Sequence, residues 1–234
     1  MKIALLGYGK MGKSIEKIAV SRGHEIVAIS DSENQKPDLS SADVAINFSI
    51  PSAAFENIAW AFENKVPVVS GTTGWLQDYD KAVALCKKND SAFIYASNFS
   101  LGVNLFFELN KKLAKMMKAF NEYSVSIEEI HHLQKLDAPS GTAITLAEHI
   151  IPQLDKKGWS LNQSEANKIP IYAKREENVP GTHSIFYHSK IDQIEIKHTA
   201  HSREGFAVGA VIAAEWLLNK KGIFHMTDVL ESLK

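Results

Sequence analysis

Cys86 is the only cysteine in this chain of 234 residues. With one thiol, neither an internal disulfide nor a thiolate metal cluster can form within the chain, and the expected compartment is the reducing cytoplasm. Neither sign of charge dominates, since 26 Lys and Arg face 27 Asp and Glu for a formal net charge of -1. No broad basic field exists to hold nucleic acid or an anionic membrane, so the expected partners are small molecules and copies of the chain itself. Long apolar runs are missing as well. The opening Met1–Gly7 stops at glycine before it reaches the length of a signal-peptide core, and no other stretch approaches the roughly 20 residues that cross a bilayer. There is no internal repeat, low-complexity tract or Pro-rich linker. Domain boundaries must therefore come from pattern, and the 45% hydrophobic content points to a folded core rather than disorder.

What is there is, first, a βα alternation. The pattern predicts strands at Lys2–Gly7, Glu25–Ser30, Val44–Phe48, Val66–Ser70 and Ala92–Ala96, with helices at Lys10–Arg22, Ala53–Asn64 and Tyr79–Lys88 between them. Such a repeat implies a parallel sheet covered by helices. In the second helix Phe55, Ile58, Ala59 and Phe62 recur at three and four residues and make one apolar face. After a further helix at Leu101–Ala119 the period changes. Glu122–His132 and Gln193–His201 alternate at period two, Gly181–Ser189 reads as a strand, and one helix, Thr142–Ile151, stands among them beside a long loop at Asp155–Asn178. A last helix at Gly205–Asn219 is expected to bury Phe206, Val208, Val211, Ile212 and Trp216 and to pack back on the first domain. The fold class is α/β: an N-terminal Rossmann-type domain of the kind expected to bind a dinucleotide (1–102 plus 205–234) and an α+β C-terminal domain with an open mixed sheet (103–204), left for substrate binding and oligomerisation.

Gly7-Tyr8-Gly9-Lys10-Met11-Gly12 ends the first strand and opens the first helix. Gly7 suits the tight turn, Gly9 lets a pyrophosphate approach the backbone, and Gly12 permits close helix packing, while the helix N-terminus offers N–H groups to the phosphates. The alternative is a glycine-rich turn without a ligand. Asp31, at the end of the second strand, is placed to accept hydrogen bonds from the adenosine ribose and to favour NADH over NADPH by repelling a 2′-phosphate; its plain reading is a solvated turn aspartate. Lys10 and Lys13 flank the glycine turn and tolerate extra phosphate charge, so use of both cofactors stays open. Gly71-Thr72-Thr73-Gly74 and Ala96-Ser97-Asn98-Phe99 follow the fourth and fifth strands, where ligands of open α/β sheets bind.

The densest chemistry runs from Glu129 to Ala143. His131 and His132 are neighbours on an extended strand, point to opposite faces and do not chelate one metal together, so no metal site is expected. Imidazole donates or accepts a proton near neutral pH, and Lys135 is a fixed cation that holds a carboxylate or donates a proton. Ser140-Gly141-Thr142 opens a helix after Pro139: Ser140 or Thr142 caps it, and Gly141 lets a carboxylate reach the main chain. The competing reading is an ordinary capped helix beside two surface histidines.

The run Glu129–Ala143 resembles the signature segment of the dihydrodipicolinate reductase family, and the glycine turn, Gly71–Gly74, Ala96–Asn104 and Arg175–His183 fall in matching order over essentially the whole chain. The resemblance implies NADH- or NADPH-dependent reduction of 4-hydroxy-tetrahydrodipicolinate to tetrahydrodipicolinate with loss of water, in diaminopimelate and lysine biosynthesis. It implies His131 as the proton-transfer residue, Lys135 as its partner acid, and His132, Lys135, Ser140, Gly141 and Thr142 as contacts to the substrate carboxylates. It also implies a cytoplasmic homotetramer assembled through the sheet of the second domain. The chain departs from the family pattern at Lys10, where arginine often precedes methionine; at Ser97, where many members have proline; and at Ser32, where an arginine in some members meets the NADP phosphate. These changes bear on cofactor preference. Two other classes fit the first hundred residues: another two-domain NAD(P)-dependent amino-acid or sugar dehydrogenase, and a noncatalytic NAD(P)-sensing protein. Neither accounts for the loop from His131 to Thr142.

Several conspicuous residues have plainer readings. His198 and His201, three apart, lack a third metal partner and suit surface or subunit-interface roles. Arg203 either reaches an anion or pairs locally. Trp60, Phe62 and Trp75 suit core or domain packing, and Cys86 on an amphipathic helix suits packing, with no activating partner in sight.

Overall fold

A computed structural model describes residues 1–202 and 204–232. The chain begins β1 (Lys2–Leu6), α1 (Lys10–Ser21), β2 (Glu25–Ser30), β3 (Val44–Asn47), α2 (Pro51–Glu63), β4 (Val68–Ser70), a 3-10 turn at Leu76–Asp78, α3 (Tyr79–Lys88) and β5 (Ala92–Tyr95). It continues through α4 (Leu101–Met117), β6 (Ser124–His131), α5 (Gly141–Ile150), β7 (Gly158–Leu161), β8 (Lys168–Arg175), β9 (Gly181–His188) and β10 (Gln193–Ala200). It closes with α6 (Glu204–Leu217), β11 (Gly222–Phe224) and α7 (Met226–Glu231). Two compact units result, one built from Met1–Leu101 with the chain from Glu204 onward, the other from Gly102–Arg203. Among the described residues no helix is long and apolar enough to cross a membrane.

The first unit is a six-stranded parallel sheet in the order β11-β5-β4-β3-β1-β2. Its strands are apolar on both faces because alternate residues feed two separate cores. Ile3, Leu5, Val44, Ile46, Val69, Ala92 and Ile94 face one core with α1, α6 and α7, while Ala4, Leu6, Ala45, Val68 and Phe93 face the other with α2 and α3. The order reverses between β1 and β3, the switch point at which such sheets bind ligands beyond the carboxyl ends of their strands. Trp75 and Cys86 lie fully buried in the second of these cores, and burial pushes the Cys86 thiol up to about 11, which suits packing rather than nucleophilic chemistry.

Two expectations about helix faces are corrected here. In α2 the buried line is Ala54, Ile58, Ala61 and Phe62, with Phe55 only half-buried. In α6 the large residues Phe206, Val208, Ile212 and Trp216 are only partly buried, and the inward face is Ala207, Gly209, Ala210, Val211, Ala213, Ala214 and Leu217. The reason is distance: a Cβ on Gly209 would lie 1.7 Å from the Phe99 carbonyl oxygen, so α6 sits too close to the β5 loop for a bulky face.

The second unit is a five-stranded mixed sheet in the order β10-β9-β6-β8-β7, with β9 antiparallel to β6 and β10, and β8 parallel to β6 and β7. Val125, Ile127, Ile169, Ile171, Ile185 and Tyr187 pack on one face against α4 and α5. The loop expected over Asp155–Asn178 is in fact β7 and β8, and β8 adjoins the central strand. Pro170 and the polar end of Lys168–Arg175 hide its alternation, in which Ile169 and Ile171 are fully buried. β11 and α7 were also outside the sequence-based assignment.

Candidate active site

At the switch point of the first unit, Gly7 adopts φ +100°, and a Cβ there would meet the Phe48 carbonyl oxygen at 2.4 Å. A Cβ on Gly12 would meet the Gly7 carbonyl oxygen at 2.4 Å, so the third glycine lets α1 begin against the turn. Gly9 is exposed, has nothing within 4 Å of a built Cβ, and is the N-cap of α1 without any side-chain cap bond. With no acid in its first turn, α1 presents an open cradle of backbone that fits a phosphate-bearing cofactor. Tyr8 and Met11 pack against the core, the Tyr8 hydroxyl donates to the Glu16 carboxylate, and Lys10 is exposed.

The other cofactor candidates divide sharply. Asp31 is exposed, but its Oδ1 accepts from the N–H groups of Glu33 (2.9 Å) and Asn34 (2.8 Å), which hold its carboxyl below the ordinary carboxylate range. Gly71 leaves room for the Phe48 ring, whose Cζ would lie 2.2 Å from a Cβ. Thr72 is buried, its Oγ1 accepting from the Ser49 N–H at 2.9 Å, whereas Thr73 is exposed. Ala96 is anchored by its N–H to the Ser70 carbonyl (3.2 Å), Ser97 is exposed, and Asn98 Oδ1 accepts from the Ser100 N–H (2.9 Å). The Phe99 ring is 1% exposed in the core beside Phe48, which leaves its backbone as the part able to meet a ligand. Phe48 itself, wedged between Gly71 and Phe99, gave no sequence signal apart from its position at a strand end.

In the second unit, strand register assembles the chemistry. Glu129 pairs with His183, His131 with Arg175, and His183 with His198, so alternation puts all five on the sheet face that α5 covers. Glu129 is completely buried. Its Oε2 accepts from the Ser140 N–H at 3.1 Å and lies 3.1 Å from His131 Nδ1, while its Oε1 lies 3.4 Å from both terminal nitrogens of Arg175. Burial alone would raise the Glu129 carboxyl, but the close His131 ring and the Ser140 N–H outweigh it and hold it down to about 2. Ser140 caps α5 by accepting from the Ala143 N–H at 3.2 Å, and its Oγ lies 3.0 Å from His183 Nε2. Ser140, rather than Thr142, is therefore the cap. Gly141 is exposed with nothing within 4 Å of a built Cβ, and Thr142 and His132 are half-buried beside it in sequence and just beyond β6.

Lys135 is not a lone cation: its Nζ donates to both carboxylate oxygens of Asp137 at 2.7 Å, which lowers the Asp137 carboxyl. Arg175 pins the same loop, donating to the carbonyls of Asp137 (2.7 Å) and Lys135 (3.3 Å). Arg175 and His183 were not singled out individually from sequence, since cross-strand neighbours are remote along the chain, and Glu129 and Asp137, only two residues from His131 and Lys135, were not because spacing shows neither burial nor the path of the loop. Glu129, His131 and His183 bring metal-type ligand atoms within 4.8 Å of one another. The Arg175 guanidinium on the same carboxylate opposes a dication there. His198 stacks near Phe106, with ring centroids 6.0 Å apart, and neither it nor His201 belongs to that group. Arg203 lies outside the described residues.

A family model described as the N-terminus of dihydrodipicolinate reductase matches residues 1–99, and one described as its C-terminus matches 102–230. The chain belongs to the dihydrodipicolinate reductase family. It is 64% identical over 236 aligned positions, covering 100% of this chain and 99% of the other, to the 4-hydroxy-tetrahydrodipicolinate reductase of Christiangramia forsetii. Among solved structures it resembles the dipicolinate-bound dihydrodipicolinate reductase of Paenisporosarcina sp. TG-14, with TM-score 0.76, 24% identity, and 96% and 97% of the two chains covered. A probable dehydrogenase from Thermotoga maritima gives TM-score 0.58 at 13% identity, covering 100% of this chain and 93% of that one. Those two likenesses establish the two-domain fold, and the family membership makes the chain an oxidoreductase.

The buried histidines of this family member set an acid response. Burial, reinforced by the charge of His131 and opposed by Glu129, holds His183 down to about 3. His149 is held down to about 4 by burial and Lys111 against Glu108. Unfolded histidines titrate near 6.5, so as pH falls below that value the unfolded chain takes up protons that the folded chain refuses. Stability is fully present above pH 6.5 and declines by about 1.4 kcal/mol per pH unit for each such histidine. Glu129 extends the loss as pH falls from 4.5 toward 2. Urea unfolding between pH 7 and 5 should show this slope, reduced by one proton in His183→Asn; a flat profile would contradict it.

Proposed function

We propose that this chain is a 4-hydroxy-tetrahydrodipicolinate reductase of diaminopimelate and lysine biosynthesis, using NADH or NADPH. Full-length 64% identity to a relative of that name supports the reaction. The observation that carries the residue assignment is the tie between His131 and the capped start of α5 through one buried carboxylate. A proton-transfer group and an anion-binding helix end thereby belong to one rigid assembly. The dipicolinate in the Paenisporosarcina structure is a ring dicarboxylate, the chemistry such an assembly suits.

In this reading the bound nicotinamide supplies hydride to the ring after its hydroxyl has left as water. Gly7, Tyr8, Gly9, Lys10, Met11 and Gly12 hold the pyrophosphate side of the cofactor. Gly71, Thr72, Thr73 and Ala96–Phe99 border the nicotinamide. Asp31 meets the adenosine ribose and favours NADH, although the turn bonds to its Oδ1 leave only part of the carboxylate for that task. Lys135 turns from Asp137 to a substrate carboxylate, with His132, Thr142, the Gly141 backbone and Ser140 completing the anion site. His131 delivers the balancing proton. The same reading makes the chain a cytoplasmic homotetramer joined through the outer face of the second sheet, where Tyr172 is exposed.

The deciding assay supplies the condensation product of pyruvate and aspartate semialdehyde and follows oxidation of NADH and NADPH separately. Turnover with both, and a higher kcat/KM for NADH, is expected. No oxidation of either would sink the activity, and a strong preference for NADPH would sink the role given to Asp31.

A further inference from the structure

Resting on the proton-transfer role of His131, we infer that Glu129 is a positioning residue for the reaction, fixing the His131 tautomer and tying that histidine to the start of α5. A fully buried carboxylate is costly and persists only where partners compensate it. Here the partners are specific: the His131 ring, the Ser140 N–H and the Arg175 guanidinium. The imidazole atom facing this acceptor-only carboxylate is Nδ1, 3.1 Å from Oε2 though off the line of a full hydrogen bond, and a negative charge so close favours the tautomer with its hydrogen on Nδ1. Nε2 is then the atom left for proton exchange. It lies on the side of Gly181, 3.1 Å from where a side chain at that glycine would begin. The ring of His183 stands edge-on to that of His131, with centroids 5.1 Å apart, and packs it from the side.

The same Oε2 receives the Ser140 N–H, so ring orientation and the α5 cap are set by one atom. A neutral amide, as in Glu129→Gln, cannot reproduce this arrangement. With its oxygen toward His131 and Ser140, the amide nitrogen would point its hydrogens at Arg175. Flipped, the amide would present donors to His131 and Ser140. In either orientation the anion that balances a doubly protonated imidazole is gone.

The test combines kinetics with imidazole 15N NMR of the full-length enzyme. In the wild type, neutral His131 should carry its hydrogen on Nδ1; a hydrogen on Nε2 would overturn the inference whatever the activity proves to be. In Glu129→Gln, kcat should fall on the order of 10²- to 10⁴-fold, as when an orienting carboxylate is removed from a working histidine. KM for the dicarboxylate should move far less than kcat, and Glu129→Asp should recover part of the loss. A kcat in Glu129→Gln within about twofold of wild type would also overturn it. Should Glu129→Gln fail to fold, the wild-type spectrum and Glu129→Asp decide. Failure of the wild type to turn over the substrate would refute the activity while leaving the tautomer measurement standing.

Discussion

Replacing His131 with alanine is expected to lower kcat by roughly 10²- to 10⁴-fold, the range for loss of a general acid, while leaving the dissociation constants of NADH and NADPH within about twofold. The split follows from location. His131 closes β6 in the second unit, 8% exposed, whereas the glycine turn that fits the cofactor phosphates lies in the first. Alanine also strips Glu129 of one partner, so a stability loss of about 1–3 kcal/mol should accompany the kinetic one. His131→Gln separates the two effects: its amide can still donate to Glu129 but cannot transfer a proton at neutral pH, so stability should partly return while kcat stays low. Steady-state kinetics with cofactor titration and urea unfolding check all three quantities. Wild-type turnover in His131→Ala would remove this residue from the chemistry.

The second large effect is structural. Gly209→Ala lies in α6, where intrinsic helix propensity alone favours alanine by about 1 kcal/mol. The contact outweighs that gain. A Cβ 1.7 Å from the Phe99 carbonyl oxygen and 2.7 Å from its carbon meets main chain that cannot swing aside, so α6 and the loop after β5 must separate. A net loss of about 3 kcal/mol or more is expected, with a fall in Tm of roughly 6–12 °C. The displaced loop is Ala96–Phe99, proposed to border the nicotinamide, and on that proposal the folded fraction should also bind NADH more weakly. Gly205→Ala is the matched control, since its Cβ would meet only the Ser100 side chain, Oγ at 3.4 Å and Cβ at 3.8 Å. Calorimetry showing equal Tm for the two variants would refute the packing argument.

Pattern carried unequal amounts of information along the chain. β1 to β5 and the helices between them were legible because both faces of a parallel sheet are buried and each strand becomes a short apolar run bounded by turn residues. β8 was not, because Pro170 and the charged ends of Lys168–Arg175 obscure an alternation that only Ile169 and Ile171 carry. The inward face of α6 was misjudged for a different reason. Size usually marks the buried side of a helix, but here close approach to Phe99 admits only small residues, and the larger Phe206 and Trp216 are left at the margin.

By itself the sequence determined a glycine turn suited to phosphate at Gly7–Gly12, adjacent imidazoles at His131 and His132, of which the family resemblance pointed to His131 for proton transfer, the Lys135 cation, and a helix start after Pro139 with Ser140 or Thr142 as its cap. Each is a local arrangement whose parts lie within a few residues of one another, so a short stretch of sequence displays it. Only the tertiary structure decided what holds those parts in place. Glu129, Arg175 and His183 meet through the register of β6, β8 and β9, and Lys135 has Asp137 as its resident partner. Strand register and burial are set by the sheet as a whole. The window Glu129–Ser140 contains both groups that keep Glu129 ionised, His131 and Ser140, but it shows neither the burial of that carboxylate nor its contacts with Arg175 and His183 on neighbouring strands.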